Sequence, residues 1–281
     1  MSESKLAPLT LEGWYALHGF HRIAWPALKS LPAGERSALA EEMADLLEAW
    51  SDLGEGGWSA AYRIVGGGAD LHFLHFRPDL EDLGEVERHV AWTGLADYLD
   101  PVYDFLSAVE LGFYRLTADT VAGLREEGID PAGQEGRERL EKTVEEQREK
   151  GYVQGRLYPR QPEDMPWLCF YPMDKRRAPE QNWYALDLEE RNAMMVDHGG
   201  TGRLYAGRVS QVISGSIGFD DWEWGVTLFA GEPLAFKKLV TEMRFDEVSA
   251  EYADFGPFFV GRRLERDGLR RLLEEPGRAA G

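Results

Sequence analysis

Apolar residues recur along the first part of the chain with two different spacings, one typical of strands and one typical of helices. Short aromatic or β-branched runs predict strands, and apolar residues three or four apart predict amphipathic helices. Three consecutive glycines between two apolar runs predict a hairpin. In chain order the predicted elements are a strand at Leu11 to Trp25, a helix at Pro32 to Trp50, hairpin strands at Gly57 to Val65 and Asp70 to Phe76, a helix at Leu80 to Leu99 and a strand at Val102 to Tyr114.

The second half of the chain repeats this order of elements. In chain order it has a strand at Trp167 to Tyr171, a helix at Leu188 to His198, strands at Gly207 to Ile217 and Asp221 to Phe229, a helical stretch at Glu232 to Tyr252 and a final strand at Phe255 to Val260. A short run before it, Tyr152 to Tyr158, is compatible with an extended segment. Each half therefore reads β-α-β-β-α-β, the order of a ferredoxin-like unit. The predicted fold class is α+β, with two ferredoxin-like halves in one chain as in a dimeric α+β barrel.

The segment between the two halves has a different composition. Thr117 to Lys150 is acidic, is interrupted by glycines and by Asp130-Pro131, and ends in a polar helical pattern. It predicts a charged linker or mobile cover rather than one rigid helix. The predicted organisation is an amino-terminal half at 1–116, the linker or cover at 117–151, a second half at 152–262 and a charged tail at 263–281 that is helical in part and then frayed.

Composition and charge narrow the classes of function. The 281 residues are 43% hydrophobic and 12% aromatic, which is typical of a globular protein. The formal net charge of −19 argues against nucleic acid or an anionic membrane as a partner. A single cysteine, Cys169, excludes an intrachain disulfide and a multi-cysteine metal site. Because neither a signal-peptide pattern nor a long uncharged apolar run is present, a cytoplasmic protein without a membrane span is expected.

His198 is the first candidate for chemistry. Asp187 and Glu190 resemble a capping box at the start of its helix, and Gly199-Gly200 predicts the end of the helix. From position alone, His198 is explained as a histidine that interacts with the negative end of the helix dipole. A lone histidine is also compatible with axial ligation of a heme iron, which needs only one imidazole.

Three further features have both a structural and a functional explanation. Gln211 lies on the same strand face as Val209 and Ile213, where its amide needs either a bound polar ligand or a backbone partner. Tyr171 ends a strand, a position at which tyrosines mostly serve packing. The window from Tyr152 to Arg177 holds five bases against three acids, which suits an anionic ligand but also a solvated surface patch.

Several long motifs, in order, resemble the coproheme decarboxylases, a branch of the chlorite dismutase-like superfamily. The resemblance is dense from about Tyr152 to Val260 and thinner, though consistent in element order, from Leu11 to Tyr114. The motifs are Tyr171-Pro-Met-Asp-Lys175-Arg-Arg, Asn182-Trp-Tyr, Met194-Met-x-x-His198-Gly-x-x-Gly202-Arg, Asp221-Trp-Glu-Trp-Gly-Val-Thr-Leu-Phe and Glu242-Met-Arg244-Phe-Asp-Glu-x-Ser249-Ala.

The resemblance implies a specific reaction. Enzymes of this family use hydrogen peroxide to decarboxylate two propionates of iron coproporphyrin III (coproheme) to vinyl groups, through a three-propionate intermediate, and the product is heme b. Coproheme would be both substrate and redox centre, and 152–262 would be the heme-binding half. The resemblance also implies a homopentamer and transient contact with the enzyme that supplies coproheme.

The resemblance assigns roles residue by residue. His198 would be the axial ligand of the iron, Tyr171 the site of a tyrosyl radical, and Lys175 a propionate-holding residue that assists the second decarboxylation. Gln211 would lie on the distal face, where chlorite-degrading relatives carry an arginine. The remaining substrate-binding residues implied are Arg156, Tyr158, Pro172, Met173, Asp174, Arg244 and Ser249.

Two alternatives belong to other functional classes. A chlorite dismutase-like heme peroxidase would share His198 but is disfavoured by the neutral amide of Gln211. A non-catalytic heme carrier or sensor would need His198 but would have no use for Tyr171 and Lys175 together.

Overall fold

The computed structural model describes residues 6–274, which form helices and antiparallel strands. The strands are β1 (Thr10–Ile23), β2 (Trp58–Ile64), β3 (Leu71–Arg77), β4 (Leu99–Gly112), β5 (Trp167–Lys175), β6 (Arg177–Ala178), β7 (Gln181–Asn182), β8 (Val209–Gly215), β9 (Trp224–Ala230), β10 (Ala253–Phe255) and β11 (Phe259–Leu264). The α-helices are α1 (Trp25–Ser30), α2 (Ala33–Ala49), α3 (Leu80–Ala91), α4 (Tyr114–Glu126), α5 (Gln134–Glu145), α6 (Gly151–Leu157), α7 (Leu188–Arg203), α8 (Leu234–Met243), α9 (Glu247–Tyr252) and α10 (Arg266–Leu273).

The large sheet closes into a barrel made of two ferredoxin-like halves. Strands β2-β3-β1-β4 form the first half, and β11-β5-β9-β8 form the second. The halves join edge to edge, where β4 pairs with β8 and β11 pairs with β2. Each half therefore covers the unpaired edges of the other, which removes the free edges that a four-stranded sheet would expose. The predicted α+β class and the two ferredoxin-like halves are confirmed.

Side chains that point into the barrel form one core shared by both halves. It is rich in aromatic residues from both halves, including Phe20, Phe105, Phe170 and Phe229. Two histidines lie within it: His18 Nδ1 is 3.1 Å from His72 Nε2, and His18 Nε2 is 3.2 Å from Thr227 Oγ1. Burial, and then the nearby His75, lowers the pKa of His18 to about 3, so this imidazole is neutral at neutral pH.

The outward faces of the two halves are covered differently. Over the first half, α2 and α10 pack on the sheet through buried leucines such as Leu47, Leu269 and Leu273. Arg266 and Arg270 of α10 form ion pairs with acids of α2. Over the second half, α8 packs closely on β5, β8 and β9. In contrast, α7 packs on α4, α8 and α9. Gln211 and Ile213, which point outward from β8 beside α7, are only half-buried, and we call the space between them and α7 the cleft.

The middle segment is ordered secondary structure, which corrects the prediction of a linker at 117–151. Helices α4 and α5 occupy most of it. Val121, Leu124 and Leu140 are buried together with Leu188 of the second half. The acidic residues that dominate its composition occupy the exposed faces of these helices, and their number hid the apolar stripes.

Four other predicted boundaries are wrong. Residues 152–158 are mostly helical in α6 rather than extended, and the helix predicted at 80–99 ends at Ala91. The stretch 232–252 divides into α8 and α9 at Asp246, whose side chain accepts from the Ser249 N–H and starts a new helix. Helix α7 continues beyond Gly199-Gly200 to Arg203. The predicted charged tail begins with α10, and its predicted frayed end lies outside the described residues.

The glycines of α7 do not terminate this helix, and one of them, Gly202, permits close approach to its neighbours. None of them has a positive φ, and the left-handed position comes later, at Gly207 with φ 78°. A Cβ on Gly202 would lie 3.3 Å from Met243 Cε and 3.6 Å from Gln211 Nε2. The absence of a side chain at Gly202 therefore lets α7 approach α8 and β8, while His198 lies inside the helix rather than in its last turn.

No helix within residues 6–274 is both long enough and apolar enough to cross a lipid bilayer.

The shared core predicts the effect of adding one methyl group. A Cβ on Gly225 would lie 2.5 Å from Phe105 Cε1 and 3.1 Å from Phe170 Cε2. We expect Gly225→Ala to lower the free energy of unfolding by about 1–3 kcal/mol through overpacking. As a control, Gly84→Ala in α3, where nothing lies within 4 Å of the new Cβ, should raise it by about 0.5–1 kcal/mol. Urea unfolding measures both, and a Gly225→Ala protein as stable as the native one would contradict the shared core.

Candidate functional site

The cleft below α7 has a floor made of the outward side chains of β8, β9 and β5. The register aligns them in rows across the three strands: Ile213, Val226 and Tyr171 form one row, and Gln211, Leu228 and Cys169 form the next. Strands lie about 4.8 Å apart, so Ile213 and Tyr171 are about 10 Å apart across the floor. The floor is thus apolar, with Gln211 as its polar exception. Its β9 and β5 side chains are buried in the cluster that includes α8, and only Ile213 and Gln211 are half-buried.

His198 is oriented by a carboxylate from another helix. Its Nδ1 lies 2.8 Å from Oδ2 of Asp246. The other carboxylate oxygen, Oδ1, accepts from the Ser249 N–H at 2.8 Å. Burial raises the pKa of Asp246, but the hydrogen bonds from His198 and Ser249 outweigh it, and the net pKa is lowered. Because an ionised Asp246 accepts a hydrogen bond from the Nδ1–H group, the lone pair of His198 is on Nε2, which can bind a metal.

Lys175 is a buried ammonium at one end of the floor. Its Nζ lies 4.5 Å from the centroid of the Trp183 ring, which is itself buried, and its backbone N–H donates to Glu223 Oε2 at 2.8 Å. Burial lowers the pKa of Lys175 to about 8, against the opposing effect of Asp246 and Glu223. Because this buried ammonium is poorly solvated, a bound anion would stabilise it.

Tyr171 is a residue of the floor that also packs against the aromatic residues at and just after the end of β10. Its ring stacks on Phe258 with centroids 4.4 Å apart and tilts against Phe255 at 5.9 Å. Burial raises the pKa of the phenol above its usual range, while Arg244 has a smaller, opposite effect. The hydroxyl therefore keeps its proton at neutral pH.

Arg244 and Ser249 adjoin these residues. The Arg244 guanidinium lies 3.9 Å from the centroid of the Phe255 ring, and that ring touches Tyr171. Ser249 is buried beside Asp246. The structure thus forms two groups: His198, Ser249 and Lys175 lie around Asp246, and Tyr171 and Arg244 lie on either side of the Phe255 ring. Tyr171 and Lys175 share one face of β5.

Gln211 faces α7 across the cleft. It is half-buried, and its Nε2 is directed to the Gly202 position, one turn beyond His198. Gln211 and His198 therefore approach the same space from the sheet and from the helix.

Other residues singled out from the sequence lie elsewhere. Arg156 and Tyr158 lie on and just after α6, where Tyr158 packs edge-on against Trp14 at 5.6 Å. Among the described residues, no hydrogen bond, ion pair or ring contact joins either to His198 or Lys175. Strand alternation places Met173 on the floor face with Tyr171 and Lys175.

The two remaining residues of the Tyr171 to Lys175 stretch point away from the floor. Pro172 contacts the Gly256 segment, and the Asp174 carboxylate accepts from the Glu223 N–H at 2.7 Å. Both residues therefore make their contacts on the opposite face of β5 and help to hold this strand in place.

Sequence reasoning missed Asp246, Trp183 and Glu223. Asp246 had a local signal, because an aspartate three residues before Ser249 fits a helix N-cap. Its contact with His198, 48 positions away, had none. Trp183 and Glu223 lie within motifs that the sequence already marked, but nothing local predicts that both surround Lys175.

The arrangement suits one kind of metal-containing ligand. No cluster of three or more His, Cys, Asp or Glu side chains in residues 6–274 could hold a free metal ion. A single oriented imidazole above an apolar floor, with cations at its margin, fits instead a planar macrocycle that supplies its own metal ligands and carries acidic substituents.

Comparisons with known proteins agree with this geometry. The family model described as chlorite dismutase matches residues 36–264. A heme-binding protein from Thermus thermophilus is 43% identical, with a TM-score of 0.80, and the match covers 95% of this chain and 97% of that chain. Chlorite dismutase from Candidatus Nitrospira defluvii in complex with imidazole is 20% identical, with a TM-score of 0.67 and coverage of 93% and 95%, which shows a shared fold.

The buried ammonium predicts a dependence of stability on pH. The pKa of Lys175 falls from 10.5 to about 8 on folding, which costs about 3 kcal/mol while both states are protonated. This cost is fully present below pH 8 and is relieved as the pH rises toward 10.5. We expect Lys175→Met to be about 2–3 kcal/mol more stable than the native protein at about pH 7, with an advantage that shrinks by about pH 10.

Urea unfolding at several pH values checks this expectation. The control is Lys238→Met, because Lys238 is exposed on α8 and its loss should change stability by less than about 0.5 kcal/mol. An advantage of Lys175→Met that is absent at neutral pH, or that grows with pH, would show that the lysine is not desolvated as described.

Proposed function

The chain belongs to the chlorite dismutase family, and on that premise we propose that it is a coproheme decarboxylase. It would use hydrogen peroxide to decarboxylate two propionates of iron coproporphyrin III to vinyl groups, through a three-propionate intermediate, with heme b as product. The observation that carries the proposal is the placement of Tyr171 and Lys175 on the cleft floor, with His198 above it and hydrogen-bonded to Asp246. A histidine alone would serve any heme protein.

His198 would bind the iron through Nε2. The acceptor at Nδ1, Asp246, strengthens electron donation from the imidazole and fixes the ring plane. The 43% identical relative is described as heme-binding, which supports a porphyrin ligand for this chain. When bound, the iron would be the centre at which peroxide is reduced, and peroxide would supply the two oxidising equivalents.

Tyr171 would transfer that oxidation to a propionate. A phenol that gives up a hydrogen atom becomes a tyrosyl radical, which can abstract a hydrogen atom from the β carbon of a propionate. Loss of the carboxylate as CO2 and of a second electron then leaves a vinyl group. Lys175 lies two rows along the same strand face and would hold the reacting carboxylate.

The other carboxylates of the substrate would lie at the rim of the cleft. Arg244 and Ser249, which adjoin Tyr171 and Asp246, would bind propionates. Met173 would contact the macrocycle from the floor. Arg156 and Tyr158 on α6, and the shaping residues Pro172 and Asp174, complete the proposed substrate set. A homopentamer and transient contact with the enzyme that supplies coproheme are also proposed.

The resemblance to chlorite dismutases makes that activity the second candidate. Gln211 argues against it, because a neutral amide supplies no charge to stabilise an anionic intermediate on the distal side. A heme carrier or sensor is the third candidate, and it leaves Lys175 without a role. One set of assays separates them: porphyrin mass after peroxide, and oxygen release from chlorite. Sustained oxygen release, or an unchanged porphyrin, would overturn the proposal.

The proposed iron ligand predicts a loss of binding. We expect His198→Ala to weaken coproheme binding by at least about 10²-fold, because it would be the only protein ligand of the iron. Titration followed by the Soret band measures this. His89→Ala, which removes an exposed histidine of α3, is the control and should bind as the native protein does. A native Soret band and affinity in His198→Ala would assign the iron to another residue.

The proposed radical residue predicts a separation of binding from turnover. Tyr171→Phe keeps the ring that packs on Phe258 and removes only the hydroxyl. We expect it to bind coproheme within about 3-fold of the native affinity and to lose at least about 10³-fold in rate, because no hydrogen atom can be relayed. Lys175→Ala should instead accumulate the three-propionate intermediate. Mass spectrometry of the porphyrin after stoichiometric peroxide distinguishes the two, and heme b formation by Tyr171→Phe at the native rate would refute the mechanism.

A further inference from the structure

The proposed reaction consumes a proton at each decarboxylation. A propionate, R–CH2–CH2–COO⁻, becomes R–CH=CH2 and CO2 and releases two electrons and one proton. Reduction of one H2O2 to two molecules of water takes those two electrons and two protons. One proton per cycle must therefore come from elsewhere, and a peroxide-binding cleft needs a group that can deliver it.

The residues already assigned to the cleft leave this role open. The amide of Gln211 has no proton to give at neutral pH. Asp246 is ionised and bonded to His198, and Lys175 is assigned to hold the carboxylate. The outward positions of β8, β9 and β5 in the floor rows hold no Asp or Glu.

The neighbouring strand supplies the missing carboxyl group. Glu110 lies on β4, whose Ala108 pairs with Gly215 of β8. Alternation places Glu110 on the outward face, beside Ile213 in the floor row that ends at Tyr171. It is the acid next to Ile213 in that row, with the exposed Glu12 of β1 beyond it.

Two features of the fold hold Glu110 in place. Trp224 Nε1 donates to Glu110 Oε1 at 3.4 Å. A Cβ on Gly215 would lie 2.5 Å from Glu110 Oε2, so the glycine provides the space that the carboxyl group occupies. Trp224 pairs on its other side with Met173 of the proposed substrate-binding stretch. The indole therefore links the carboxyl group to the cleft floor.

The surroundings of Glu110 favour its protonated form. Burial raises its pKa, the Trp224 hydrogen bond opposes this, and Glu12 of β1 raises it further. Tyr114 at the start of α4 also faces Glu110, and Arg191 of α7 acts on Tyr114 from the other side. Because Glu110 is half-buried rather than enclosed, it can regain a proton from solvent after each cycle.

We propose that Glu110 is the proton source for the peroxide reduction in this cleft. It gives its carboxyl proton to an oxygen of the peroxide, and the second proton comes from the substrate's β carbon, so that both oxygens leave as water. The Glu110 carboxylate, held by Trp224, then takes a proton from solvent. This inference rests on the proposed decarboxylation.

The test compares Glu110→Gln with the native protein and with two further variants. Glutamine keeps the size and the acceptor for Trp224 but carries no acidic proton. We expect coproheme affinity within about 2-fold of native and a rate of propionate loss, after stoichiometric peroxide, lower by on the order of 10²-fold. Glu110→Asp should recover part of the rate. Glu141→Gln, which alters an exposed acid of α5, should stay within about 2-fold of native.

The pH dependence and a ligand-free measurement add independent readouts. The native rate should fall as the pH rises through the pKa of Glu110, and this limb should vanish in Glu110→Gln. In the ligand-free native protein, the infrared carbonyl band of a protonated carboxyl group should titrate with a midpoint above that of an exposed glutamate. The same band should be missing from Glu110→Gln.

Each other outcome is decisive. A native protein that does not decarboxylate coproheme overturns the proposed function, and with it this role. A native protein that does so while Glu110→Gln matches its rate and pH profile overturns the proton source alone. An ordinary midpoint for the carbonyl band also overturns it.

Discussion

Edge-to-edge pairing of the two halves is the constraint on which the rest of the structure depends. Each ferredoxin-like half has two edge strands, and these are satisfied only when β4 meets β8 and β11 meets β2. Closure commits every inward side chain to one aromatic core, so a ligand site can lie only on an outward face. On the first half α2 and α10 occupy that face, whereas on the second half α7 is held by neighbouring helices and leaves the face half-open. The cleft is a consequence of how the two faces are covered.

Within the cleft, one carboxylate connects local folding to chemistry. Asp246 starts α9 through the Ser249 N–H and at the same time accepts from His198. The first contact fixes the carboxylate on a rigid element, and the second directs the free lone pair of the imidazole to Nε2. Because both contacts favour the ionised form, the carboxylate remains charged despite its burial. Helix capping and metal-ligand orientation are thus served by the same two oxygens.

The electrostatics of the cleft depend on burial more than on net charge. The chain carries −19 overall, yet Lys175 is held beside Trp183 with a lowered pKa, and Glu110 on the opposite side of the floor has a raised one. Desolvation shifts both groups toward their neutral forms. A cation that gains from an anionic ligand and an acid that keeps its proton are therefore available in a protein whose surface is strongly acidic.

The sequence by itself determined what depends on neighbours along the chain. Element order, the shared face of Tyr171, Met173 and Lys175, and the outward position of Gln211 all follow from periodicity, because strand alternation is set residue by residue. The family was recognisable from motifs. Only the tertiary structure decided the partner of His198, the burial of Lys175, the placement of Glu110 beside the floor and the packing of 117–151, because these depend on contacts between residues distant in sequence. The course of α7 past Gly199-Gly200 to Arg203 belongs to the same class. One turn beyond His198, Gly202 permits close packing on α8 and β8, and no local pattern predicts this contact.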